Sequence, residues 1–195
     1  MEKNVTANDV PALGAGRQKS QKTRDKLLAA ARLLFSSKSY DAVGVRDIAL
    51  EADVDPAMVS RHFGGKRGLF VAACEGAFDV VDHLPTDRAD IGAFLANAAA
   101  GVSETDGRNA FNALSFLLLS SNCPEVADVL SATFRTDFIL PLAARISSDD
   151  AEGRAVAIAA CVIGFATVRH QLGLGAKGVG GTTYMTDAIQ RIVDG

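Results

Sequence analysis

Between positions 46 and 66 the chain carries Arg46, Arg61, His62 and Lys66, with Pro56, Ala57, Met58 and Ser60 among them. Guanidinium and ammonium groups bond phosphate oxygens, and an arginine also forks onto the O6/N7 edge of guanine. Serine and histidine add single hydrogen bonds, and the apolar Ala57 and Met58 suit the methyl group of thymine. Together these residue types fit the outside of a nucleic-acid duplex, provided that a scaffold holds them on one face. Each also has a plainer use. Arg46 could pair with Asp47 or Glu51, Lys66 could serve solubility, and His62 could cap a helix carbonyl.

Other chemistry finds little support. The three histidines, His62, His83 and His170, are accompanied by no GxSxG, phosphate-binding loop or metal-ligand spacing. No catalytic residue, metal ligand or cofactor is therefore expected. Cys74, Cys123 and Cys161 are odd in number, far apart and set in apolar surroundings, which predicts buried structural thiols.

The elements that would position the basic residues follow from periodicity. Leu27, Leu28, Ala31, Leu34 and Phe35 mark one face of a first helix, expected from Thr23 as N-cap to about Lys38. Val45, Ile48, Ala49 and Ala52 mark a short second helix. Asp55-Pro56 starts a third, because aspartate accepts free N–H groups and proline at the first position has none to lose. Ile48, Ala49, Val54, Val59 and Phe63 should pack inward, leaving the remaining residues of the third helix to face outward. After Gly64-Gly65 a longer helix is expected from Lys66 to about Leu84, and further helices near 88–103, 108–121, 125–146, 150–173 and 184–193. No stretch alternates with a period of two, so the fold class is all-α.

Charge is divided unevenly. Residues 1–70 hold 12 Lys/Arg against 8 Asp/Glu, a net of +4, and residues 71–195 hold 8 against 15, a net of −7. The cationic part coincides with the candidate duplex-facing stretch. An overall charge of −3 argues against a nonspecific architectural DNA protein, which needs a broad cationic surface. Residues 1–16 lack an apolar core of signal-peptide length, and the apolar stretch 155–168 is shorter than the roughly 20 residues of a spanning helix. A cytoplasmic protein without a membrane partner is expected.

Over residues 23 to about 70 the sequence resembles the DNA-binding domain of the TetR family of bacterial repressors. The marks are Tyr40 after the first helix, Val-Arg-Asp-Ile-Ala at 45–49, Ala52-x-Val54, His62-Phe63, Lys66 and Leu69-Phe70. The resemblance implies an N-terminal three-helix helix-turn-helix domain and a C-terminal helical domain for dimerisation and ligand binding. The expected organisation is a flexible basic arm over 1–19, the DNA-binding domain over 20–66 and the sensor domain over 67–195. It implies a homodimer on a palindromic operator, released by a small apolar or amphipathic effector. A dimeric DNA-binding regulator without small-molecule control is the alternative. Three positions depart from the family pattern: Ser60 replaces a tyrosine, Asp53 a turn glycine and Asp55 a serine cap.

The helix from about 150 to 172 reads apolar all round over 155–168, as one packed partly on its own core and partly covered by another subunit would, and Ile189, Ile192 and Val193 would complete a four-helix interface. Phe111, Leu114, Phe134 and Phe138 are the candidate ligand contacts, although residues of this kind serve equally as core.

Overall fold

The computed structural model describes residues 12–79, 83–101, 112–174 and 180–195. Helix α1 spans Ala12–Ser37 and so begins well before Thr23. Residues 16–22 are exposed, so this part of the helix has no inward face for periodicity to reveal. Thr23 is internal to the helix, its hydroxyl donating to the Lys19 carbonyl at 3.0 Å, and does not cap it. The segment expected as an arm to residue 19 is thus helical from residue 12, and residues 1–11 lie outside the described set.

A 3-10 turn at Tyr40–Ala42 leads to α2 (Val45–Glu51), α3 (Ala57–Phe63) and α4 (Lys66–Cys74). Helix α4 stops about ten residues short of its expected end. Gly76 adopts φ +65°, and Arg32 of α1 donates to the carbonyls of Ala73 at 3.1 Å and Glu75 at 2.6 Å. Those acceptors are thereby satisfied without another helical turn. Val80 and Val81, expected on the same helix, lie outside the described residues.

Beyond this point α5 (Ile91–Ala100), α6 (Ala113–Ser120), α7 (Ala127–Phe134), α8 (Leu140–Ile146), α9 (Ala151–Ala166) and α10 (Gly180–Asp194) follow. The expected helix over 125–146 is interrupted by a π turn at Arg135–Ile139. Pro141 stands two residues after it, and since proline offers no N–H the ladder has to be re-registered nearby. A second π turn, Thr167–Gln171, extends α9. Helix α10 starts ahead of position 184 because Gly180 and Gly181 concealed its first turn. No strand occurs among the described residues.

Two apolar clusters hold the helices. The first joins Leu27, Phe35, Ile48, Val59 and Phe70 to Phe116, Val126 and Leu130, so the core runs on past residue 66 into α6 and α7. The second gathers Ile91, Leu95, Leu142, Ile146, Ile158 and Ile189 from α5, α8, α9 and α10. Phe134 and Phe138 pack against both. Cys74 and Cys123 are buried as expected, and burial pushes the Cys74 thiol up to about 12. Cys161 is only half-buried, because it stands near the outward side of α9.

That outward side is the main uncovered apolar surface. Val156 is 52% exposed and Val168 43%, with exposed Ala157, Ala160 and Gly164 between them; on α10 Tyr184 is 80% exposed. The helical run Ala151–Gln171 is long and apolar enough, by length and composition, to cross a membrane, which corrects the shorter span read from sequence. Only 22% of its most apolar stretch is buried, so the single chain leaves open the part of this helix that was expected to be covered by another subunit.

Candidate nucleic-acid interface

Helices α2 and α3 are joined by the turn 52–56, whose geometry follows from three residues. Asp53 takes φ +53°, a left-handed position that aspartate tolerates better than most side chains. Val54 N–H then bonds the Ala49 carbonyl at 3.0 Å, closing the turn. Asp55 Oδ1 accepts the Ala57 N–H at 2.7 Å while Pro56 already has helical dihedrals of −54° and −30°, so Asp55 caps α3 as its type predicts. Ile48, Ala49 and Val59 are fully buried, and Val54 and Phe63 partly so, which locks the two helices together.

This packing leaves one polar face. Arg46, Pro56, Ala57, Ser60 and Arg61 are exposed. Arg46 forms no ion pair among the described residues, because Asp47 is occupied at the start of α2, its Oδ2 accepting the Gly44 N–H at 2.8 Å. The guanidinium is thus available to an outside acceptor. His62 caps no carbonyl among the described residues; its half-buried ring lies 6.3 Å from that of Phe63. Met58, also expected to line the groove, is half-buried and packs part of its side chain on the first core.

Lys66, at the start of α4 after Gly64-Gly65, is half-buried. Its Nζ stands 4.0 Å from the centroid of the Tyr40 ring. This cation–π seat was not foreseen, and it fixes the ammonium while leaving its N–H donors for an anion. Gly64 at φ +72° provides the left-handed stop of α3. Gly68 is required for a different reason: a Cβ there would lie 1.8 Å from the Phe63 carbonyl oxygen.

Several residues that sequence reasoning missed tie this unit to the remainder. The Tyr40 hydroxyl donates to Glu125 Oε1 at 2.8 Å, and Arg67 donates to the Glu125 carbonyl at 3.2 Å and pairs with Asp128 at 3.0 Å. Burial, and then the Glu125 bond, hold the Tyr40 phenol above its usual range. Rings continue the connection. Tyr40 meets Phe70 at 5.2 Å, Phe70 stacks on Phe116 at 5.0 Å, Phe116 meets Phe78 at 6.2 Å and Phe78 meets Phe134 at 5.4 Å.

The aromatic column ends at a cavity of about 790 Å³. Leu114, Phe134 and Phe138 line it, and Phe111 lies outside the described residues. Phe78, Asp79, His83, Phe94 and His170 also line it, none of them named from sequence as a ligand contact.

One prediction concerns the turn. Asp53→Gly removes a side chain from a left-handed position and a negative charge from the polar face. It is expected to keep stability within about 1 kcal/mol of the parent and to tighten binding to duplex DNA a few-fold at low salt. A thermal melt and fluorescence anisotropy on labelled DNA check both parts.

Comparison with known proteins adds the following. Residues 27–73 match the family described as bacterial regulatory proteins, tetR family, and residues 89–177 match the tetracyclin repressor-like C-terminal domain. Over 47 residues the chain is 45% identical to the probable HTH-type transcriptional regulator YttP of Bacillus subtilis (strain 168), a match spanning 24% of this chain and 23% of that protein. Among solved structures, Salmonella enterica GusR shares 18% identity at a TM-score of 0.65, over 96% of this chain and 100% of its own. NalD, the secondary repressor of the MexAB-OprM multidrug efflux pump in Pseudomonas aeruginosa, shares 17% at a TM-score of 0.64, over 88% and 96%. A TetR-family regulator of Streptomyces coelicolor A3 shares 23% at 0.54, over 97% and 100%. At these identities the structural likeness establishes a shared fold.

Proposed function

Because the chain belongs to the TetR family of bacterial regulatory proteins, and so is a DNA-binding transcription regulator with a helix-turn-helix, we propose that it is a homodimeric cytoplasmic repressor. It binds a palindromic operator and leaves it when a small apolar or amphipathic ligand fills the cavity. The observation that carries the DNA part is the exposed face of α2 and α3, with Arg46 free of any ion pair among the described residues. Residues 20–66 act as the reading unit and residues 67–195 as the sensor and dimerisation unit.

Arg46 contacts phosphate or a guanine edge, Arg61 and Ser60 contact bases or phosphates from α3, and Pro56, Ala57 and Met58 meet apolar groove edges. His62 and Lys66 bond the backbone, Lys66 beside the first N–H groups of α4. A single seven-residue helix reads little sequence. Two related by a two-fold axis, about 34–36 Å apart, read a palindrome. The open stripe on α9 and the outward side of α10 supply the surface for pairing. Ligand binding to a conformer with wrongly spaced recognition helices shifts the population away from DNA.

The test is a gel shift with DNA from the gene's own upstream region in excess unrelated competitor. Arg46→Ala is expected to weaken specific binding by about 10- to 100-fold. Lys66→Ala is expected to weaken it less and to lower the salt dependence by about one phosphate contact. If no genomic fragment, including those from a genome-wide selection, survives the competitor, the operator reading fails.

A further inference from the structure

The ammonium of Lys66 is placed by a ring rather than by a carboxylate. Its Nζ lies 4.0 Å from the centroid of Tyr40, and no acidic side chain pairs with it among the described residues. Behind the ring, the Tyr40 hydroxyl donates to Glu125 Oε1 at 2.8 Å. Glu125 belongs to the turn that enters α7, 85 positions away in sequence and outside the helix-turn-helix. The reading unit grips this turn at further points. Cys123 Sγ donates to Asp41 Oδ1 at 3.5 Å, and Arg67 donates to the Glu125 carbonyl at 3.2 Å and pairs with Asp128 at 3.0 Å. Val126, the next residue, is fully buried. The backbone that carries the carboxylate is thereby held against the ring.

We propose that Glu125 is a positioning residue for DNA: by accepting the Tyr40 hydroxyl it makes the ring a stronger seat for the Lys66 ammonium, and so holds that charge toward a phosphate. The inference rests on the reading of Lys66 as a backbone contact given above. Its physical basis is polarisation. A cation is drawn to the negative face of an aromatic ring, and a carboxylate bonded to the phenol pushes electron density from the oxygen into that ring. Burial, and then the Glu125 bond, hold the phenol above its ordinary range, so Tyr40 stays a donor. A carboxylate placed directly against Lys66 would occupy N–H groups that a phosphate needs. Acting through the ring, Glu125 steadies the ammonium and leaves its donors open. Phenylalanine at position 40 would keep the packing on Phe35 and Phe70 without this link.

The test titrates the full chain into a fluorescein-labelled duplex of arbitrary sequence at low salt and reads anisotropy, since phosphate contacts do not depend on sequence. Glu125→Gln keeps an acceptor for the Tyr40 hydroxyl and removes the charge. Long-range repulsion alone predicts tighter binding when a carboxylate is lost. The seat predicts the opposite: Glu125→Gln should weaken binding by about threefold, and Tyr40→Phe by a similar factor. In a Lys66→Ala background neither substitution should weaken binding further, whereas a merely structural role would lower affinity with or without the lysine. Parental or tighter binding by Glu125→Gln, or equal weakening in both backgrounds, would overturn the role of Glu125 and leave the Lys66 contact standing. If Lys66→Ala itself binds the duplex as the parent does, the phosphate contact and this inference fall together.

Discussion

An alanine at Gly68 is expected to lower the melting temperature by roughly 6–12 °C and to weaken operator binding beyond what the lost stability explains. The added Cβ would sit 1.8 Å from the Phe63 carbonyl oxygen and 3.0 Å from its carbon, and both are backbone atoms that cannot rotate aside. The start of α4 must therefore move away from the end of α3. Overpacking of this kind costs about 1–3 kcal/mol, and a backbone neighbour puts the cost at the upper end. The same shift displaces Lys66, two residues earlier, from its seat over Tyr40. Gly64→Ala is the matched control: it strains a left-handed residue at φ +72° but meets nothing within 4 Å. It should cost about 1 kcal/mol. Calorimetry and anisotropy on operator DNA separate the two effects, and a Gly68→Ala protein that melts with the parent would show that the α3–α4 junction gives way freely.

Ala160→Arg is expected to convert the proposed homodimer to a monomer and thereby abolish tight operator binding. Ala160 is exposed on its own chain, in the stripe formed by Val156, Ala157, Gly164 and Val168 on α9. An arginine there has room in the monomer, so helix content should stay unchanged. In a two-fold interface each copy would bury a guanidinium facing its symmetry mate. An uncompensated buried charge costs about 3–5 kcal/mol, which weakens association by more than about a hundredfold. Light scattering over a dilution series reads the change directly. A variant that remains dimeric at low micromolar concentration would place the interface elsewhere.

The reading unit was legible in sequence because its determinants are local. Asp55-Pro56 starts α3, Gly64 ends it, and Ile48, Ala49 and Val59 point inward as their spacing indicates. The end of α4 was not legible. Ala77 and the valines after it continue the apolar pattern, whereas the stop depends on Gly76 and on Arg32 reaching across more than forty residues. The same limit hid the Tyr40–Glu125 bond, whose partners stand 85 positions apart. Lys66 showed its charge but not its aromatic neighbour, and Met58 showed its side chain but not that the core would claim part of it. At the cavity the difficulty is different. Phe134 and Phe138 have the composition of core, and only the space beside them distinguishes a lining residue from a filled one.

The placement of the two tyrosines gives the protein its own optical readout. The chain has no tryptophan, so its long-wavelength ultraviolet emission comes from Tyr40 and Tyr184 alone. Tyr184 stands in solvent on α10, beside the surface that pairing would cover. Tyr40 is 1% exposed, enclosed by Phe35 and Phe70 and bonded to Glu125, where the DNA-reading helices meet the remainder of the chain. One unlabelled sample thus emits from two sites, one sensitive to assembly and one to the junction through which the ligand signal would pass, and Tyr184→Phe isolates the second.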